Sequence, residues 1–133
     1  MEKSKHLLLF RGNNWDRELS PAELQEVVDR WMAWFDRLTK EGKVLGGHPL
    51  ENTGKLVSGK GGQTISDGPF AESKEAIGGY FMLAECTFEE ALAIARENPA
   101  LEHGLVVEVR PVAELCPSRA RARDEAAMAT AAE

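Results

Sequence analysis

"GYFMLAECTFEEALAIARENPALEHGLVVEVRP", Gly79 to Pro111, runs through a strand, a capped helix and a second strand in succession. The first strand is the hydrophobic segment Tyr80 to Glu85. Thr87 and Glu90 then stand at capping-box spacing, where the hydroxyl accepts the N–H of the third helical residue and the glutamate returns a bond to the cap. Phe88, Ala91, Leu92 and Ala95 form the apolar side of a short helix, which Pro99 ends. β-Branched residues dominate the closing strand, Leu105 to Pro111, with Glu108 and Arg110 on one face and Val107 and Val109 on the other.

The same grammar is written upstream. "HLLLF", His6 to Phe10, is a short buried strand broken by Gly12, Asn13 and Asn14. Ser20 is an N-cap, Pro21 fits the first helical position, and Glu23 completes a capping box. Leu24, Val27, Val28, Trp31, Met32, Phe35 and Leu38 recur at steps of three and four as one wide apolar stripe, and Gly42 stops the helix. Trp31, Trp34 and Phe35, on or beside that stripe, are expected to pack into the core rather than to stack on a cofactor. "KVLGGHPL" is a strand with a glycine-softened end. Lys55–Ser58 and Gln63–Ser66 form a hairpin across Gly59 to Gly62.

Strand, helix, strand with hairpin, strand, helix, strand is the order of a split βαβ arrangement: an α+β fold with a four-stranded antiparallel sheet and both helices on one face. The other face still carries apolar side chains such as those of "YFML". A second copy of the same sheet is the simplest cover, so a two-fold homodimer is expected. Residues 1–116 read as one domain. The tail, 117–133, mixes arginines with acids, ends in alanines and lacks an apolar stripe, so it is a frayed helix or disordered.

Composition limits the function. With 133 residues, 43% hydrophobic and 29% charged, the chain is long enough for a core of its own. No apolar run reaches membrane-spanning length, and "HLLLF" is too short for a signal peptide, so no membrane contact and a cytoplasmic location are expected. A net charge of −6 argues against direct nucleic-acid binding. Cys86 and Cys116 lack metal-ligand spacing and read as free thiols, and neither a metal nor a cofactor is implied. "GKGGQT" lacks the order and the following helix of a phosphate loop.

The candidate site centres on "SDGPFAESKEAIGGY", Ser66 to Tyr80. Asp67 and Gly68 make a turn, Pro69 fixes its exit, and Phe70 is an apolar anchor that leaves Glu72, Lys74 and Glu75 on a polar stretch. A loop so constrained either simply joins two strands or presents charged groups beside a cleft. Asp67 or Glu72 is the acid or base candidate. His48, after two glycines, and His103, before Gly104, are candidate partners that would make a proton-transfer dyad if either approached Asp67. His6, near a frayed terminus, is read as incidental. Arg110 either grips an anionic ligand or pairs with Glu108.

From Asp67 to Pro111 the chain resembles the YCII-related family, in its DGPF branch, through "DGPFAESKE", the Gly-Gly-Tyr strand entry, "EEALAIA" and "VEVRPV". The resemblance implies a ferredoxin-like fold with the inserted β-hairpin, dimerising through its sheets into a dimeric α/β barrel. In the shorter YCII-like members the resemblance points to an active pair, a His on the first helix and an Asp just before a Pro after the second. By register these places hold Trp31 and Asn98, neither of which serves as acid or base. DGPF-type proteins are further linked with extracytoplasmic-function sigma factors. Two functions therefore stand side by side. One is a small-molecule binder, enzyme or not, with a concave pocket beside the DGPF loop; the other is a regulatory module with a sigma-factor-related protein partner, a closed core and an exposed apolar patch.

Overall fold

The structure, a computed structural model, describes residues 2–12, 14–68 and 76–131. Its elements in chain order are β1 (Ser4–Arg11), α1 (Pro21–Lys40), β2 (Val44–Pro49), β3 (Lys55–Ser58), β4 (Thr64–Asp67), β5 (Ile77–Cys86), α2 (Phe88–Ala95), β6 (Val106–Pro111) and α3 (Pro117–Ala131). β2, β5, β1 and β6 lie side by side in that order in one antiparallel sheet, and β3 pairs with β4 alone. The protein is α+β. The sheet of the single chain is open, with β2 and β6 at its edges, and closes no barrel by itself.

Both capping boxes form. Ser20 Oγ accepts the Glu23 N–H at 3.2 Å while Glu23 accepts the Ser20 N–H at 3.0 Å. Thr87 and Glu90 repeat the exchange at 3.1 and 3.0 Å. Helix α1 runs until the chain turns through Gly42, whose φ of +73° is cheap only for glycine.

Alternation along the strands divides the sheet. Leu8 and Phe10 of β1, Phe81 and Leu83 of β5 and Val44 of β2 face the helices, where they join Val27, Trp34 and Leu38 of α1 and Ala91, Ile94 and Ala95 of α2 in one core. Leu7, Leu9, Tyr80 and Met82 face the other way, half-buried, on a side that neither α1 nor α2 covers. Leu8, Leu38 and Leu83 are completely enclosed.

Several expectations shift on contact with this packing. The buried seam of α1 is Val27, Trp34 and Leu38, with Trp31 and Phe35 partly buried against it, while Val28 and Met32 are 41% and 54% exposed. The apolar stripe is wider than the surface available to bury it. Strand β5 starts at Ile77, not Tyr80, because Gly78 and Gly79 belong to it: a Cβ on Gly79 would lie 2.9 Å from the His48 carbonyl oxygen, so glycine is what lets β2 approach. β4 is displaced by one residue to Thr64–Asp67, and Asp67 is a strand residue opposite Lys55, not part of a turn. Its predecessor Gln63 takes helical angles after the 3-10 turn Lys60–Gly62. His6 is not at a frayed end. It is 2% exposed on β1, with Nδ1 3.5 Å from Cys86 Sγ and its ring beside Phe88. Of the tail, Pro117–Ala131 is helical as α3, and none of these described residues is buried.

Candidate functional site

Under α1, on the helix-bearing face of the sheet, lies a cleft of about 420 Å³. Phe10 of β1, Trp15 of the following segment, Val28, Trp31, Met32 and Phe35 of α1, Phe81 of β5 and Leu105 supply its walls. Gly12, Gly78 and the rim segment Gly47–Pro49 complete it. Its origin is local: the glycines put no side chains where the first helix would otherwise meet the sheet edge, and the unburied flank of α1 overhangs the space. The volume falls within the roughly 300–1,000 Å³ of small-molecule sites.

The aromatic rings are fixed against one another. Phe10 meets Trp31 at 4.8 Å and 72°, and Phe81 at 4.9 Å and 88°, both edge to face. Trp15 lies nearly parallel to Trp31, 25° between planes at 6.1 Å. Trp34, behind them, gives its indole N–H to Glu97 at 3.3 Å, and Glu97 in turn holds Arg37 at 3.0 Å, tying α1 to the residues after α2. No charged side chain is among the described residues that line the cleft.

The expected site residues scatter around this centre. His48 borders the cleft, but its pairing with Tyr80 turns the imidazole to the helix-free face, where Nδ1 and the Tyr80 hydroxyl share a hydrogen bond of 2.9 Å. Asp67 forms an exposed ion pair with Lys55. The Gly68 N–H donates to the Gly54 carbonyl at 2.9 Å, beside a smaller hollow shared with Ala76 and Ile77. His103 Nε2 lies 3.4 Å from Glu102, and Arg110 takes the structural alternative, 3.5 Å from Glu108, which also holds Arg11 at 3.2 Å. Asp67, Gly68, His103 and Arg110 are not among the described residues lining the cleft. Pro69, Phe70, Glu72 and Lys74 lie outside the described residues. Among the described residues, no group of His, Cys, Asp and Glu is arranged to hold a metal ion.

Trp31 and Asn98, the positions where the family resemblance places an acid–base pair, have other work. Trp31 is a cleft wall. Asn98 is buried, its Oδ1 accepts the Ala100 N–H at 2.7 Å, and its Nδ2 has no hydrogen-bond partner among the described residues. The residues that sequence reasoning missed are the cleft walls, above all Trp15, Trp31 and Phe35. Their signal was the crowding of aromatic residues around the first helix, which core packing explained equally well.

The two thiols differ. Burial, then the neighbouring Glu90 charge, pushes the Cys86 thiol above its ordinary range. Cys116 is exposed at the start of α3, where the backbone N–H groups of Arg119 and Ser118 pull its thiol below that range.

A family model for the YCII-related domain matches residues 8–115, nearly the whole span from β1 to the end of β6 and beyond, so the chain belongs to the YCII-related family. No curated protein matches the chain.

Proposed function

We propose that this member of the YCII-related family, of its DGPF branch, is a cytoplasmic small-molecule-binding protein whose ligand enters the cleft under α1. The observation that carries this is the cleft itself: concave, walled by ordered aromatic rings and of small-molecule size. Relative to a site on the DGPF segment, the binding position lies at the Gly47–Pro49 rim instead of at Asp67. His48 is the ionisable residue at that rim, and its bond to Tyr80 positions it. Asp67, on the hairpin, serves as a separate test position. The strand order supports a ferredoxin-like chain, and the uncovered Leu7, Leu9, Tyr80 and Met82 support a homodimer whose stacked sheets form the dimeric α/β barrel.

Ligand-observed NMR with a fragment set of mixed charge, followed by amide shift mapping, tests the binding position. Fragments should shift Gly12, Gly47 and Gly78 amides; shifts confined to Asp67, Gly68 and the hairpin would refute the cleft. Asp67→Asn removes only an exposed ion pair, worth about 0–1 kcal/mol, so any loss of binding in that variant would speak for the hairpin. Static light scattering tests the dimer, and a stable monomer in dilute solution would refute it.

A regulatory module acting on a sigma-factor-related protein is the second reading, and one feature favours it. Val57 and Ile65 pair across the hairpin while remaining 65% and 66% exposed, an apolar spot on a two-stranded ribbon outside the main core. Val57→Asp should then abolish the protein association and leave fragment binding intact.

A further inference from the structure

We propose that the cleft selects a neutral, planar aromatic ligand of one or two rings, carrying a hydrogen-bonding group on its edge. This rests on the preceding reading that the cleft is the binding site. Planarity follows from the walls: Trp15 stacks on Trp31, 25° between planes at 6.1 Å, and a flat ring can extend such a stack. Phe10 stands edge-on to its neighbours. Such surfaces complement another ring better than a branched aliphatic body.

Neutrality follows from the absence of counter-charge among the described lining residues. No Lys, Arg, Asp or Glu is among the described lining residues, and the imidazole of His48 is turned to Tyr80 on the other face. A carboxylate or ammonium entering here would lose hydration with no charge on a described lining residue to replace it. A quaternary ammonium caged by rings needs several aromatic faces aimed at one point. Here Phe10 makes edge-to-face contacts with Trp31 and Phe81, at 72° and 88°, so part of that ring surface is already taken up within the wall.

The edge group follows from the sheet. β2 is an edge strand, and the N–H of Leu50, the residue that follows it, is bonded to the Gly78 carbonyl at 2.9 Å. Backbone groups alternate in direction along an antiparallel strand, so the N–H and C=O of Gly47 point away from β5. They sit at the cleft rim as a donor and an acceptor, with no side chain of their own to obstruct approach. A phenolic hydroxyl, an indole N–H or a ring amide can pair with them as an added strand would. Val28 and Met32, both substantially exposed on α1, form the lips of the mouth.

The test uses the full chain and three probes that differ chiefly in charge: 1-naphthol, 1-naphthalenesulfonate and trimethylphenylammonium, titrated calorimetrically. The neutral probe should bind at one site per chain, about tenfold or more tighter than either ion. Met32→Trp fills the mouth from an exposed position and should weaken 1-naphthol about tenfold or more, with thermal unfolding unchanged. Ala126→Trp on α3 should do neither. The Gly47 amide should shift with 1-naphthol and much less with naphthalene. If an ion binds as tightly as 1-naphthol, and that binding is lost in Met32→Trp, the ligand class is overturned while the cleft stands. If no probe shows binding sensitive to Met32→Trp, both the class and the cleft are overturned.

Discussion

Two adjacent glycines should respond to the same substitution with opposite signs. Gly46 and Gly47 are neighbours on β2, and neither has a positive φ, so alanine meets no conformational penalty at either. Their surroundings differ. A Cβ on Gly46 finds nothing within 4 Å, whereas a Cβ on Gly47 would lie 2.5 Å from the Tyr80 carbonyl oxygen and 2.6 Å from Phe81 Cδ1, where real contacts essentially never fall below 3.0 Å. The first obstacle is backbone and the second is a ring locked between Phe10 and Trp34, so neither can swing aside. Gly47→Ala must push β2 off β5, and overpacking of this kind costs about 1–3 kcal/mol. At this chain length that is a fall in Tm of roughly 4–12 °C. Gly46→Ala only narrows the unfolded ensemble and should be neutral or stabilise by about 0.4–1 kcal/mol. Urea unfolding followed by circular dichroism, with the m-value held common, measures both. If the two variants unfold within about 0.5 kcal/mol of each other, a margin typical of inconsequential surface changes, the close approach of β2 to β5 is wrong. The rim of the cleft would then be wrong with it.

Other perturbations probe separate levels of the structure. Leu38→Ala empties a completely enclosed position and should cost about 2–5 kcal/mol in the same unfolding assay; Met32→Ala, half exposed, should cost far less. Thr87→Ala removes one side of the second capping box and should cost about 1 kcal/mol. Glu23 and Glu90 are held below the ordinary carboxyl range, first by the backbone N–H of Ser20 and Thr87 and then by their hydroxyls. Their folded pKa values are depressed, so their contribution is complete above the ordinary glutamate pKa and disappears as pH falls through the folded values. Glu23→Gln with Glu90→Gln should therefore flatten acid destabilisation below about pH 4.3, and an unchanged pH profile would refute the assignment. Dithionitrobenzoate near neutral pH should react in two phases, Cys116 before Cys86, and Cys116→Ser should remove the fast one.

Where a residue's role is set by its near neighbours in the chain, the sequence was legible. Ser20 with Glu23 and Thr87 with Glu90 declare their helices because the cap and its partner lie three residues apart, and both boxes close. Strand order followed from two such helices set between hydrophobic runs. What failed depended on partners distant in sequence. The strand character of Gly78 and Gly79 is decided by His48 and Pro49 of β2, which no local pattern discloses. Asp67 has good turn chemistry, yet Lys55 across the hairpin draws it into β4. His6 is a core residue because β5 and Phe88 enclose it, not because of anything beside it in the chain. The candidate site was the least legible for the same reason. Trp15, Trp31 and Phe35 bury enough surface to pass as core, and only the gap left by glycines on three strands or their ends turns part of that core into a cleft.

Strand β5 then joins the two proposed activities without making them compete. Alternation sends Phe81 into the cleft wall and Tyr80 to the helix-free face, where it meets His48. A partner protomer stacked on Leu7, Leu9, Tyr80 and Met82 would cover the face opposite the cleft and leave its mouth, between Val28 and Met32 on α1, open to solvent. The two proposed faces meet at one place. His48 and Pro49 form the cleft rim, and their strand is held to β5 by the same pairing that sets His48 against Tyr80. Pressure on the Tyr80 side and a ligand against Gly47 therefore act on one short edge strand, and a sheet edge has a pairing partner on one side only. In the proposed dimer β2 would be the element shared by the covered face and the cleft rim, whereas Asp67 and Lys55 form an exposed ion pair on the hairpin.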